Sequence, residues 1–121
     1  MKVLVVEDNF AMRAMITSLA ETVADTVIQC GGGIEAVALY QSHLPDWVLM
    51  DIAMNHGGGL EATTQIMRSW PRARILIVSS YNDKALREAA RAAGALGYIV
   101  KEELSMICDW LQGREIDQRI A

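Results

Sequence analysis

The sequence predicts an α/β protein with a parallel sheet covered by helices on both faces. Short apolar runs alternate with segments in which apolar residues recur at helical spacing. Two of these runs lead directly into acids: residues 1–8 end on Glu7 and Asp8, and residues 46–51 end on Asp51. Because the carboxyl ends of parallel strands meet at one edge of a sheet, the three carboxylates are predicted to lie together. We call this edge the rim.

Composition excludes several classes of protein. The 121 residues fit one domain, and the formal net charge of −4 leaves no basic patch for nucleic acid. No apolar run reaches membrane-spanning length, and no charged leader precedes the first apolar run. Cys30 and Cys108 lie in apolar segments without metal-ligand or CxxC spacing. These features predict a soluble cytoplasmic protein that binds neither membrane nor nucleic acid.

Five strands and five helices are predicted in alternation. The strands are Lys2–Val6, Thr26–Cys30, 46–51, 74–78 and Gly97–Val100. Asn9 is the predicted cap of the first helix, whose apolar stripe comprises Met12, Met15, Ile16, Leu19 and Val23. The second helix, 34–42, buries Ala36, Val37 and Tyr40, and the third, 60–69, follows Leu60, Thr64 and Met67.

The last two helices differ in how firmly they should pack. The fourth is capped by Asn82 or Asp83 and ends at Gly94, and its apolar side is mostly alanine, so it should be weakly docked. The fifth has a stripe comprising Leu104, Ile107, Cys108 and Leu111. Met106 and Trp110 lie beside that stripe. Trp110 either packs on the flank of the helix or forms an exposed partner-binding patch.

The rim carries a chemically coherent set of side chains. Ser79 and Lys101 follow the fourth and fifth strands and join the three acids there. Clustered carboxylates repel one another unless a cation lies among them, and oxygen ligands favour Mg²⁺. A carboxylate beside Mg²⁺ can attack phosphorus, with Lys101 and Ser79 contacting phosphoryl oxygens. The rim therefore predicts phosphoryl chemistry.

Five segments resemble a known family. They read Val-Glu-Asp at 6–8, Leu-Met-Asp-Ile-Ala-Met at 49–54, Gly-Leu-Glu-Ala-Thr at 59–63, Ile-Val-Ser-Ser at 77–80 and Gly-Tyr-Ile-Val-Lys at 97–101. In this order they resemble the CheY-like receiver domain of two-component response regulators. The resemblance covers residues 1–113 and implies a flavodoxin-like sheet of order 2-1-3-4-5. Residues 114–121 are then a tail or the start of a linker.

The resemblance also implies residue roles. Asp51 would accept a phosphoryl group from a histidine kinase, a phosphotransfer protein or a small phosphodonor. Glu7, Asp8, Asp51 and the backbone carbonyl of Ala53 would bind Mg²⁺. Ser79 and Lys101 would contact the phosphoryl group, and Ser79 with Tyr98 would form the switch. Tyr98 would turn inward on phosphorylation and change the surface of helix 4, strand 5 and helix 5, which would act on an output domain, an effector or a second copy of the chain.

Two departures from the family pattern stand out. Residues 55–59 read Asn-His-Gly-Gly-Gly, where the family usually has a proline and an acid, so we expect a mobile loop beside Asp51. Glu102 replaces the proline that commonly follows the family's lysine. Regulators with a LuxR-type helix-turn-helix output often lack that proline as well, which favours such a parent protein.

Two rival functions are considered. A receiver-like module that signals without phosphorylation is favoured by the altered glycine loop. An aspartyl phosphatase would need a second acid two residues after the nucleophile, where this chain has Ala53. The sequence thus favours a signalling domain over an enzyme that turns over a substrate.

Overall fold

The sheet has the predicted topology. A computed structural model describes residues 1–54 and 58–113. Its strands are β1 (Lys2–Val6), β2 (Thr26–Cys30), β3 (Trp47–Met50), β4 (Ile75–Ser79) and β5 (Gly97–Val100). They form one parallel sheet in the order β2-β1-β3-β4-β5. The predicted fold class and strand order are confirmed, and the fourth strand is shifted by one residue so that it includes Ser79.

Five helices cover the two faces of the sheet. They are α1 (Phe10–Glu21), α2 (Gly33–His43), α3 (Gly59–Ser69), α4 (Lys84–Ala93) and α5 (Met106–Leu111), with a 3₁₀ turn at Lys101–Glu103 before α5. Helices α1 and α5 pack on one face, through Ile16 and Ile107 among others. Helices α2, α3 and α4 pack on the other, through Ala36, Ile66 and Ala90 among others. For α1 to α4 this division follows from crossovers of one hand, because the chain steps one way across the sheet from β1 to β2 and the other way from β2 to β5.

Local signals set several helix ends. The Asn9 side chain accepts a hydrogen bond of 2.8 Å from the Met12 N–H, which confirms the predicted cap of α1. Gly94 ends α4 at a φ of 105°, a conformation that glycine adopts without strain. Asp83 occupies the cap position of α4, although its side chain makes no capping hydrogen bond. Leu44 ends α2 in the left-handed region at a φ of 46°.

Two predicted helix faces are partly wrong. Met15 is half exposed, and Thr17 and Ala20 are buried on α1 in its place. On α3, Thr64 is exposed and Thr63 is buried, and the buried Thr63 hydroxyl is satisfied within the helix by donating to the Gly59 carbonyl at 2.7 Å. A satisfied hydroxyl can be buried at low cost, which hydrophobic patterning does not anticipate.

Trp110 belongs to the core, and the exposed-patch alternative is wrong. Only 8% of the residue is exposed, and its ring lies edge-on to Trp47 at a centroid distance of 6.4 Å. Gly97 makes room for it, since a Cβ there would lie 2.6 Å from Trp110 Cζ2. Trp110 lies three residues after Ile107, so both share the buried face of α5.

Helix α4 is the most lightly packed helix, as its alanine-rich side predicts. Ala90 is its one buried residue, and Leu86 is half-buried against the same core. Within the described residues no helix is both long and apolar enough to cross a bilayer. Cys30 is buried and Cys108 is half-buried, and both are free thiols. The prediction of a mobile glycine loop, like the predicted tail, falls largely on residues outside the described ranges.

Candidate functional site

Strand register brings the predicted residues to one edge. Val6 is paired with Met50, and Ser79 with Val100. The residues that follow β1, β3 and β5 are therefore delivered to the same edge, together with Ser79 at the end of β4. The apolar residues of each strand are fully buried, which fixes the strands against the helices and holds these ends in place.

The three carboxylates converge as predicted. Glu7, Asp8 and Asp51 each offer an oxygen within 4.8 Å of the others. Lys101 Nζ lies 2.8 Å from Glu7 Oε1 and 3.6 Å from Asp51 Oδ1. The Lys101 ammonium thus contacts two of the three carboxylates. The sequence prediction that these four side chains share one site is consistent with this geometry.

Glu7 is held rigidly at the base of the site. It is 1% exposed, and its Oε2 accepts a hydrogen bond of 3.1 Å from the Asn9 N–H. Arg13, which the sequence analysis did not single out, donates from Nη1 to the Glu7 carbonyl at 2.9 Å. The other oxygen, Oε1, receives the Lys101 ion pair without an aligned hydrogen bond from the described residues. A buried carboxylate oxygen with spare acceptor capacity is suited to a cation.

The protonation of Asp51 reflects the crowding of negative charge. Burial and the charges of Glu7 and Asp8 together raise the pKa of its carboxyl to about 6, against the opposing effect of Lys101. The acidic cluster could therefore hold a metal ion, because a hard dication would offset the excess negative charge with oxygen ligands alone. The predicted ligand role of the Ala53 carbonyl stays a prediction, and Ala53 itself is exposed.

Ser79, at the end of β4, and Tyr98, on β5, both contact the backbone of Tyr81 between β4 and α4. Ser79 is 1% exposed, and its hydroxyl accepts a hydrogen bond of 3.1 Å from the Tyr81 N–H. Tyr98 is 3% exposed, and its hydroxyl donates to the Tyr81 carbonyl at 2.8 Å. Burial raises the pKa of the Tyr98 phenol. Tyr98 is thus already directed inward, and the Tyr81 backbone links it to the predicted switch hydroxyl.

The raised pKa predicts that Asp51→Asn stabilises the metal-free domain. A carboxyl with a pKa of about 6 in the fold and an ordinary value of 3.8 in the unfolded chain stabilises the fold at low pH and loses that contribution as pH rises through about 6. The shift is discounted for solvent screening and for coupling to its neighbours, so we expect a gain of about 1 kcal/mol at neutral pH.

Urea unfolding in EDTA at a series of pH values tests this. The gain from Asp51→Asn should shrink as pH falls from about 7 toward about 4. Asp83→Asn, at an exposed carboxylate, is the matched control and should show no such trend. A wild-type protein that is more stable than Asp51→Asn at neutral pH would contradict the expected penalty.

The chain belongs to the response regulator receiver domain family of two-component systems. The family model matches residues 3–109. Among curated proteins, the chain is 35% identical over 100 residues to the chemotaxis protein CheY of Halobacterium salinarum, covering 83% of each chain. It is 37% identical to the transcriptional regulatory protein PdtaR of Mycobacterium tuberculosis over 83% of this chain and 49% of that protein.

A solved structure supports the same placement. A LuxR-family two-component response regulator from Aurantimonas sp. SI85-9A1 superposes with a TM-score of 0.82 at 32% identity, over 94% of this chain and 86% of that one. The resemblance to receiver domains read from the five motifs is therefore confirmed. The chain is a signalling domain of this family.

Proposed function

We propose that this domain accepts a phosphoryl group on Asp51, with Mg²⁺ bound by Glu7, Asp8, Asp51 and the Ala53 carbonyl. The observation that supports it most is the placement of Asp51: its carboxylate is buried among two other acids and lies 3.6 Å from the Lys101 ammonium. Such an oxygen can act as a nucleophile, and its neighbours can bind the charge of an incoming phosphoryl group.

Each rim residue has a definite task in the proposed reaction. An Asp51 oxygen forms a bond to phosphorus while the bond from phosphorus to the donor nitrogen or oxygen breaks, and the leaving group keeps the electron pair. Lys101 stabilises the charge on the phosphoryl oxygens, and Ser79 donates a hydrogen bond to one of them. Mg²⁺, when bound, would offset the negative charge of the carboxylates and of the phosphoryl group. Glu7 orients Lys101 through their 2.8 Å ion pair.

The proposed output is a change at the surface of α4, β5 and α5. Movement of Ser79 toward the phosphoryl group would shift the Tyr81 backbone, to which Tyr98 is hydrogen-bonded. The light packing of α4 allows that surface to adjust at low cost. The partners are a histidine kinase or phosphotransfer protein upstream and an effector, a LuxR-type output domain or a second copy downstream. The two free thiols support a reducing, cytoplasmic location.

Intact-mass spectrometry after incubation with Mg²⁺ and acetyl phosphate tests the proposal. We expect a gain of one phosphoryl group, lost in Asp51→Asn and in EDTA, because the mutant has no nucleophile and the metal-free site repels the donor. Asp83→Asn, at an exposed carboxylate outside the rim, should take up phosphoryl like wild type. Uptake that persists in Asp51→Asn would contradict the assignment of the acceptor, and no uptake from any donor would support a module that acts without phosphorylation.

A further inference from the structure

The guanidinium of Arg87 packs against the face of the Tyr98 ring. The guanidinium carbon of Arg87 lies 4.7 Å from the centre of the Tyr98 ring, a distance at which the cation attracts the ring face. Arg87 is on the second turn of α4, and Tyr98 is on β5, so the contact joins two elements of the predicted output surface.

Arg87 is itself fixed in place by Asn82. Its Nε and Nη2 both donate to Asn82 Oδ1, at 3.0 and 2.6 Å. Asn82 lies in the segment between β4 and α4, next to Tyr81, whose carbonyl accepts the Tyr98 hydroxyl. The ring is therefore held at its face by Arg87 and at its hydroxyl by Tyr81. We call this set of contacts the Arg87 clasp.

The apolar packing of α4 contributes little to holding Tyr98. Leu86 is only half-buried, and Ala90 is the one buried side chain of the helix. Alanine buries little area, so the apolar packing of α4 stabilises the buried position of Tyr98 only weakly. The hydrogen bonds and the cation–ring contact therefore contribute more to that stability than they would under a well-packed helix. The clasp residues belong to the β4–α4 segment, α4 and β5, and their contacts are present in the unphosphorylated domain.

We propose that Arg87 is a positioning residue that, with Asn82, holds Tyr98 buried before Asp51 is phosphorylated. The α4–β5 surface is then biased toward its inward-tyrosine state in the resting protein. Phosphorylation then increases the population of the inward-tyrosine state but does not create that state. A partner that binds this surface therefore binds the unphosphorylated domain measurably. The consequence for signalling rests on the proposed function, whereas the position of Tyr98 does not.

The three tyrosines of the chain make the proposal testable in one experiment. Tyr81 is 55% exposed and Tyr40 is 6% exposed, so they serve as reactive and protected references for Tyr98. Hydroxyl-radical footprinting with peptide mass spectrometry reads the three side chains separately. In the metal-free, unphosphorylated wild type, Tyr98 should react about tenfold more slowly than Tyr81. Equal rates for Tyr81 and Tyr98 would overturn the proposal.

Arg87→Gln removes the cation, and we expect the Tyr98 rate to rise about fivefold. Tyr40 should stay protected, which separates release of the ring from loss of the fold. Arg91→Gln, which removes the same charge one turn further along α4 at an exposed position, is the matched control and should leave Tyr98 protected. Asn82→Ala, which frees the guanidinium but keeps its charge, should give an intermediate rate.

Two results would overturn the role of Arg87. One is that Tyr98 reacts with hydroxyl radicals no faster in Arg87→Gln than in Arg91→Gln. The other is that Tyr40 in Arg87→Gln becomes more reactive to the same extent as Tyr98. Adding Mg²⁺ and acetyl phosphate to Arg87→Gln should protect Tyr98 again. If only that last step fails while intact mass shows phosphorylation, Arg87 still positions the ring and the error lies in the switching role given to Tyr98.

Discussion

Gly59→Ala should destabilise the domain by about 3 kcal/mol and suppress phosphoryl uptake. A Cβ at this position would overlap the carbonyl oxygen of Asp51 and crowd the Ile52 backbone. Backbone atoms cannot rotate away as a side-chain end can, so either α3 or the segment after β3 must move. That segment is also tied down by the Gly59 N–H, which donates to the Ile52 carbonyl at 3.0 Å. The phosphoacceptor would shift with it.

Gly58→Ala is the matched control for Gly59→Ala. Its Cβ would meet the carboxylate of Glu61, the end of an exposed and flexible side chain that can swing away. We expect a loss of about 1 kcal/mol or less, because alanine is a poorer helix cap than glycine. Urea unfolding gives the stabilities, and intact mass after treatment with Mg²⁺ and acetyl phosphate gives the uptake. Equal effects of the two substitutions would show that the Asp51 backbone can adapt.

Trp110→Ala should destabilise the domain by about 3 to 5 kcal/mol. The ring is buried beside Trp47 and Gly97, and its removal would leave a cavity in the core. Trp47 would be partly uncovered, although Arg74, whose guanidinium carbon lies 4.4 Å from its ring centre, still covers its other side. We expect the substitution to act on stability, because Trp110 is buried and does not form an exposed binding patch.

Phe10→Ala provides a comparison at an exposed aromatic residue. Phe10 is 76% exposed at the start of α1, so its truncation should change the free energy of unfolding by no more than about 0.5 kcal/mol. Chemical unfolding followed by far-UV circular dichroism suits both variants, because it does not depend on tryptophan emission. A Trp110→Ala variant as stable as Phe10→Ala would mean that α5 repacks freely.

The rim could be predicted from sequence because its residues follow strands that are apolar throughout. Val3 to Val6 and Val48 to Met50 leave no doubt about burial on both faces, so the position of the next carboxylate is set by the strand itself. The Asn9 cap of α1 could also be predicted, because it depends only on residues close by in the sequence. The switch roles assigned to Ser79 and Tyr98 and the ligand role of the Ala53 carbonyl came from the family resemblance and remain predictions.

Most features that sequence reasoning missed depend on a second element. Trp110 could not be assigned to the core because the space that receives it is left by Gly97 on β5, which helical periodicity in α5 does not report. Arg13 and Arg87 look like ordinary surface cations until the backbone of Glu7 and the ring of Tyr98 are placed beside them. Tertiary contacts of this kind are not encoded in local spacing.

The strand order also bears on how the acidic cluster is stabilised. Strand β5 lies at the edge of the sheet and is paired with β4 alone, whereas β1 and β3 each have a neighbour on both sides. The ammonium that pairs with Glu7 and Asp51 is therefore carried by the residue after an edge strand, whereas both acids follow central strands. Local opening of β5 would withdraw this ammonium from the two acids, and a dication bound to them would stabilise the cluster in its place.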